Sequence, residues 1–274
     1  MAKTPTRSKR EDDDDELPGV KKISEIKRPR STVLYGRSGT GKTTLAADWP
    51  KPMLYLDIKD EGTDSIADVK GIDVKEIEDP DDLDEVLLWL IRHPGKYKTI
   101  VLDTMSQLQE MVVEEVAAEL KKKVPKGKRA GDFGTLTKQD WGKVSSRLKS
   151  WIIDLRDLPM ETVFIAQDRT FNFGDDESSD EVLAPEVGPR LMPSVASVLN
   201  AAVSTIGNTF IRVRVVKKEV NGKKTSVEKK EYCLRLGPSP LYVTKVRKPK
   251  SISAPDFIVD PTYEDIQDVI NGDT

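Results

Sequence analysis

Cysteine and histidine are almost absent from this chain. Its 274 residues hold one of each, Cys233 and His93. A single cysteine excludes an intrachain disulfide and fits a reducing compartment. With no cluster of Cys and His, a zinc site of the usual kind is excluded too. His93 stands in His-Pro-Gly after a helical stretch, the place of a solvated helix end. No run of about 18 apolar residues occurs, and the N-terminus has no apolar signal core. The expectation is a cytoplasmic protein without a membrane span. No internal repeat is found.

Charge is abundant. Charged residues make up 33% of the chain and apolar ones 37%, enough for a modest core under a well-solvated surface. The net charge of -3 hides patterning: 57–85 is acidic, while 121–149 and 212–250 are rich in Lys and Arg. Residues 1–30 join basic "TRSKR" to acidic "EDDDDE", the composition of a flexible tail. The alternative is an arm that docks on a neighbouring subunit through Val20, Ile23 and Ile26.

From residue 31 strand and helix alternate. "STVLYG", "PMLYLDI", "TIVLDT" and "ETVFIAQ" read as buried strands; "DDLDEVLLWLIRH", "SQLQEMVVEEVAAELKKK" and "DWGKVSSRLKSWIIDLRDL" read as helices. Apolar strands interleaved with helices predict an α/β fold with a mostly parallel sheet covered on both faces. "LMPSVASVLNAAVSTI" predicts a short helix and a strand. Residues 168–190 predict a long polar loop. The end of the chain differs. Two alternating runs flank Asn221-Gly222, the strongest short hairpin signal, within about 205–250. "LYVTKV" adds a strand, and "PTYEDIQDVING" a closing helix capped by Gly272.

Gly36, Arg37, Ser38, Gly39, Thr40, Gly41, Lys42, Thr43 and Thr44 carry the chemistry. They contain G-x-x-x-x-G-K-[ST] between a predicted strand and a predicted helix. By average composition a random chain of this length would match roughly once in a hundred. Glycines let backbone N–H groups wrap a nucleotide's phosphates at a helix N-terminus. Lys42 reaches the β- and γ-phosphates of ATP, and the Thr43 hydroxyl ligates Mg²⁺. Asp103, ending "TIVLDT", is the candidate second metal residue, and it can cap the next helix as well. An acid that orients the attacking water is expected in "LDIKDEGTDS", from Asp57, Asp60, Glu61 and Asp64; Glu61, before Gly62, is the choice.

The order of these parts resembles the RecA-like P-loop ATPase core. More narrowly it resembles the compact phage recombinases of the Sak group, single-strand annealing proteins that consist of little more than that core. The resemblance covers about 31–272. It rests on the phosphate loop, the acid after the second strand, Asp103, "FIAQ" and "KVR". It implies that Gln167 senses the γ-phosphate and that a mobile DNA-binding loop, 168–190, follows it. It implies a first DNA loop at 121–140, with Lys121, Lys122, Lys123, Lys126, Lys128 and Arg129 as a phosphate track and Phe133 as a base-stacking residue. Arg169, Phe171, Phe173 and Arg190 are the second loop's candidates, although its "DDESSDE" would repel a nucleic-acid backbone. It implies that Lys245 and Arg247 enter the neighbouring subunit's ATP site, which requires a homo-oligomer, ring or filament. A basic edge strand is the plain alternative for that pair. The function implied is ATP-dependent binding and annealing of single-stranded DNA, with a single-strand-binding protein as a further candidate partner. A helicase loader, a regulatory ATPase, or an annealing scaffold in which ATP only fixes the oligomer remain the alternatives.

Overall fold

The computed structural model describes residues 19–22, 26, 29–59, 62–122, 136–171, 185–220 and 223–272; at 121–122, 218–220 and 223–225 it describes the backbone alone. The elements run β1 (Ser31–Tyr35), α1 (Lys42–Ala46), β2 (Met53–Ile58), β3 (Ile72–Ile77), α2 (Pro80–Arg92), β4 (Thr99–Asp103), α3 (Met105–Lys122) and α4 (Lys138–Asp157). They continue with β5 (Glu161–Ala166), β6 (Asp168–Phe171), β7 (Glu186–Pro189), α5 (Pro193–Ala202), β8 (Thr205–Val220), β9 (Lys223–Arg235), β10 (Lys245–Val246), β11 (Phe257–Val259) and α6 (Tyr263–Asn271).

The main sheet has the order β11-β9-β8-β1-β5-β4-β2-β3, with β10 paired to β8. From β8 through β1, β5, β4 and β2 to β3 every neighbour is parallel; β9, β10 and β11 are antiparallel additions. Strand β5 therefore lies between the phosphate-loop strand β1 and the acid-bearing strand β4. The result is an α/β fold: a mostly parallel sheet between helices, with antiparallel C-terminal strands.

The strand residues sort by parity, as a pleat requires. Val33, Leu54, Leu56, Ile100, Leu102 and Phe164 face a core formed with α2, α3, α4 and α5. Leu34, Met53, Tyr55, Val101, Val163 and Ile165 face the other core, with α1 and α6. A fully buried large apolar side chain contributes about 1.5–3 kcal/mol, whereas a surface ion pair contributes about 0–1 kcal/mol. The two cores therefore set the frame, not the abundant surface charge. Helices α2, α4 and α6 each start in a capping box, at Asp79, Thr137 and Thr262. Gly272 ends α6 in the left-handed conformation, as its type suggested. No helix among the described residues is long and apolar enough to cross a membrane.

Four features depart from the sequence reading. Strand β3 was not expected, because "IDVKEI" at the sheet edge keeps most of its residues in solvent and so lacks a buried apolar run. The segment 168–190 is not a plain loop: β6 and β7 pair antiparallel, Asp168 with Pro189 and Phe171 with Glu186. The C-terminal hairpin forms as expected, but its first strand β8 also pairs in parallel with β1 and so belongs to the main sheet. "LYVTKV" shrinks to the two-residue β10, while the unpredicted β11 pairs with β9. Short edge strands with few buried residues leave little signal in a sequence. Asn221 and Gly222 lie outside the described residues; the ladder on either side of them runs to Val220 and Lys223.

Candidate active site

The phosphate loop turns where β1 ends and α1 begins. Gly39 and Gly41 take φ of 77° and 83°, a region L side chains avoid. Gly36 is needed for a different reason. A Cβ there would lie 2.4 Å from the Thr209 carbonyl oxygen and 2.5 Å from its hydroxyl. Thr209 on β8 also donates to the Tyr35 carbonyl, at 3.3 Å, and its hydroxyl shares a 2.7 Å hydrogen bond with that of Thr40. The loop is thus held from the side by the hairpin strand. The Lys42 ammonium is buried inside the turn and donates to the carbonyls of Gly36 at 2.9 Å and Arg37 at 2.7 Å.

Asp103, at the end of β4, faces this loop. Its Oδ2 accepts from the Thr43 hydroxyl at 2.8 Å and from the Tyr55 hydroxyl at 2.5 Å. Tyr55 is fully buried on β2. Burial first, and the Asp103 charge second, push its phenol pKa well above the ordinary value, so it stays a proton donor to the carboxylate. The Asp103–Thr104 peptide is cis. Asp57 is also buried, pairs in register with Asp103 across β2 and β4, and accepts from the Thr63 hydroxyl at 3.2 Å. The parity of the sheet puts Tyr55, Asp57 and Asp103 on the α1 face.

A cavity of about 810 Å³ opens over the loop. Residues 38–45, Asp103, Thr104, Gln167 and Thr209 line one part; Tyr232, Asp260, Pro261 and Thr262 line another. This size suits a small-molecule site. The donor set fits a nucleotide with its metal. Loop N–H groups and Lys42 suit phosphate, and the Thr43 hydroxyl with the Asp103 carboxylate offers the hard oxygens that Mg²⁺ takes. Tyr232 packs beside the loop, its ring 3.4 Å from a Cβ placed on Gly41.

A family model described as an AAA domain matches residues 28–248. The chain belongs to the AAA domain family. That membership implies ATPase activity, and P-loop ATPases of this kind generally use ATP and Mg²⁺. No curated protein matches the chain. Among solved structures, 82 chains match. One is the crystal structure of the RadB recombinase, which is 14% identical over 74% of this chain and 86% of that one, with a TM-score of 0.38.

In this AAA domain Gln167 sits at the junction of β5 and β6 and lines the cavity. Gly36 donates its N–H to Ala166, one residue before it, at 3.3 Å. The Gln167 N–H donates to the Ser106 hydroxyl at 3.1 Å, and that hydroxyl donates to the Arg190 carbonyl at 3.1 Å. The Arg190 N–H returns to the Gln167 carbonyl at 2.7 Å. Both ends of the segment 168–190 are therefore tied at one point beside the phosphate loop.

Other expected residues have local partners. The Lys245 ammonium donates to the Asn200 carbonyl at 2.6 Å, and Arg247 to that of Ala201 at 2.7 Å. Within this chain both cap the C-terminus of α5, where cations are favoured. Arg190 forms an ion pair with Glu110. Arg169 lies 5.2 Å over the ring of Phe171, and that half-buried ring also packs near Gly188. Asp64 is exposed in a 3-10 turn at Gly62–Ile66, and Gly62 lines the cavity. Asp60, Glu61, Lys123, Lys126, Lys128, Arg129, Phe133 and Phe173 lie outside the described residues, as do the side chains of Lys121 and Lys122. Sequence reasoning missed Tyr55, Ser106, Thr209 and Tyr232. The one available signal was Tyr55, a hydroxyl inside the apolar run "MLYLDI" that must find a partner when buried.

Proposed function

We propose that this AAA domain is an ATP-dependent, single-stranded-DNA-binding recombinase or annealing protein of phage type. The observation that supports the reading best is the position of Gln167. It lines the nucleotide cavity and anchors both ends of the β6–β7 segment through Ser106 and Arg190. A side-chain amide there can donate to a phosphate oxygen when ATP is bound and release it afterwards. The segment then becomes a switch.

Lys42 and the loop amides hold the phosphates, Thr43 and Asp103 hold Mg²⁺, and Tyr55 orients Asp103. Mg²⁺ held by Thr43 and Asp103 would supply positive charge against that developing on the phosphates. Glu61, or Asp57 in its place, positions the water. The basic residues of 121–140 and Arg169 supply contacts for DNA. Lys245 and Arg247 serve a neighbour's site only by leaving the α5 carbonyls they hold.

ATP turnover measured with and without single-stranded DNA tests this, on wild type, Lys42→Ala and Gln167→Ala. Wild type is expected to be stimulated, Lys42→Ala to be inactive, and Gln167→Ala to keep basal turnover but lose stimulation. A wild-type rate indifferent to DNA would leave a helicase loader or a regulatory ATPase as the better reading. Annealing that survives Lys42→Ala would favour the scaffold.

A further inference from the structure

The hairpin of β8 and β9 runs far beyond the sheet that holds its base. The last residue of β8 registered against β1 is Asn208, and the first of β9 registered against β11 is Cys233. The ladder between β8 and β9 nevertheless continues to Val220 and Lys223. Residues 213–220 and 223–230 therefore form a two-stranded ribbon of roughly 26 Å, at about 3.3 Å per residue.

None of its described side chains is buried. Val213 and Val215 are 52% and 69% exposed. It is also strongly basic in a chain of net charge -3: residues 212–231 carry eight Lys and Arg against three Glu. The buried acid at its base, Glu231, is already claimed by Arg212 at 2.5 Å, Lys229 at 3.4 Å and Arg214 at 3.8 Å. Arg214 stands directly opposite Lys229, so that one carboxylate, Glu231, is shared by three cations and leaves an excess of positive charge at this point of the ladder. Lys217 and Lys230 are exposed and make no ion pair among the described residues. Opposed residues share a face, so Lys217 and Lys230 lie on one side of the ribbon and Arg214 and Lys229 on the other.

We propose that this ribbon is a nucleic-acid-binding arm whose cations follow the phosphate backbone. Two observations favour nucleic acid over the acidic surface of a second copy. The cations lie on both sides of a narrow strand pair, and Lys217 and Lys230 stand among the exposed Val213 and Val215 on one of them, whereas the centre of a protein interface is depleted of charge. A two-stranded ribbon is also the width that a DNA groove admits. The arm is rooted in the nucleotide site, because Thr209 at its base holds the phosphate loop and Tyr232 packs beside Gly41. The proposal rests on the DNA reading above but uses a surface apart from 121–140 and 168–190.

The test is fluorescence anisotropy of the full chain with labelled single-stranded and duplex oligonucleotides, across a salt series. The variant is Arg214→Gln, Lys217→Gln and Lys230→Gln together; the control Arg214→Lys, Lys217→Arg and Lys230→Arg keeps the charge. The neutral variant is expected to bind at least roughly tenfold more weakly near 0.1 M salt. Its log K against log salt slope should fall by roughly 2 on single strands or 3 on duplex, according to which form the arm holds. The charge-keeping control should bind as wild type, and both should match wild-type melting temperature and ADP affinity. Wild-type affinity and slope in the neutral variant would overturn the proposal. So would an unchanged affinity with a changed sedimentation coefficient, which would make a second copy the partner. Wild type that binds neither oligonucleotide overturns the arm and the DNA reading together. A ribbon effect without DNA-stimulated turnover overturns only the coupling to ATP.

Discussion

Tyr55 is the residue whose removal separates geometry from fold most cleanly. Its ring fills the α1-side core, and its hydroxyl donates to Asp103 beside Thr43. Phenylalanine keeps the ring and removes the donor. Tyr55→Phe is expected to raise the Mg²⁺ concentration for half-maximal turnover by roughly tenfold, in the range seen for outer partners of metal ligands. Metal-free nucleotide binding should stay unchanged. Mg²⁺ titrations of ATP turnover, beside ADP binding in a chelator, check both halves. Gly36→Ala is the opposite case. A methyl group at 2.4 Å from a backbone oxygen forces β8 and the loop apart. Nucleotide binding should be lost and the melting temperature should fall.

The element-scale question concerns α5 and the cations at its end. If Lys245 and Arg247 are helix caps, alanine at both positions costs about 0.3–1 kcal/mol each. The measured effect would be a lower melting temperature with turnover per folded molecule intact. If they complete a neighbour's site, turnover should collapse while stability barely moves. The helix starts give a pH dependence. Asp82 and Asp140 are held below the ordinary carboxylate range, Asp82 by the N–H groups of Asp79 and Glu78, and Asp140 by the Thr137 hydroxyl and N–H. A depressed carboxylate stabilises fully above its unfolded value near 3.8 and loses that contribution as pH falls through the folded one. Glu161, raised by burial, acts with the opposite sign and is relieved by acid. Thermal melts of wild type should lose stability below about pH 4, and Asp140→Asn should flatten part of that slope.

At the scale of the molecule, sheet order brings distant segments to one cavity. Strand β1 leads into the loop, β4 carries the acid, β5 leads into the glutamine, and the C-terminal β8 and β9 close the side. The hairpin is at once sheet, wall of the site and projecting arm. The phosphate loop therefore packs directly on the root of the arm. ATP should tighten nucleic-acid binding, and nucleic acid should tighten ATP binding by the same factor, because linkage is reciprocal. Anisotropy with and without a non-hydrolysable ATP analogue measures one arm of that cycle, and nucleotide titrations with and without DNA the other.

The phosphate loop, the buried strands and the long helices were written in the sequence itself. Each depends on local chemistry: glycines where φ is positive, apolar runs where both faces are covered, and capping residues at helix starts. Asp103 could be named as an acid at a strand end for the same reason. The partners of these groups were not local. Tyr55 meets Asp103 because β2 lies beside β4, and Thr209 meets Gly36 because β8 lies beside β1. Strand order follows from how the helices pack two opposed cores, which no window of sequence contains. The same packing placed Lys245 and Arg247 over the end of α5, and it carried β8 and β9 beyond the sheet as a basic ribbon whose described side chains lie at the surface.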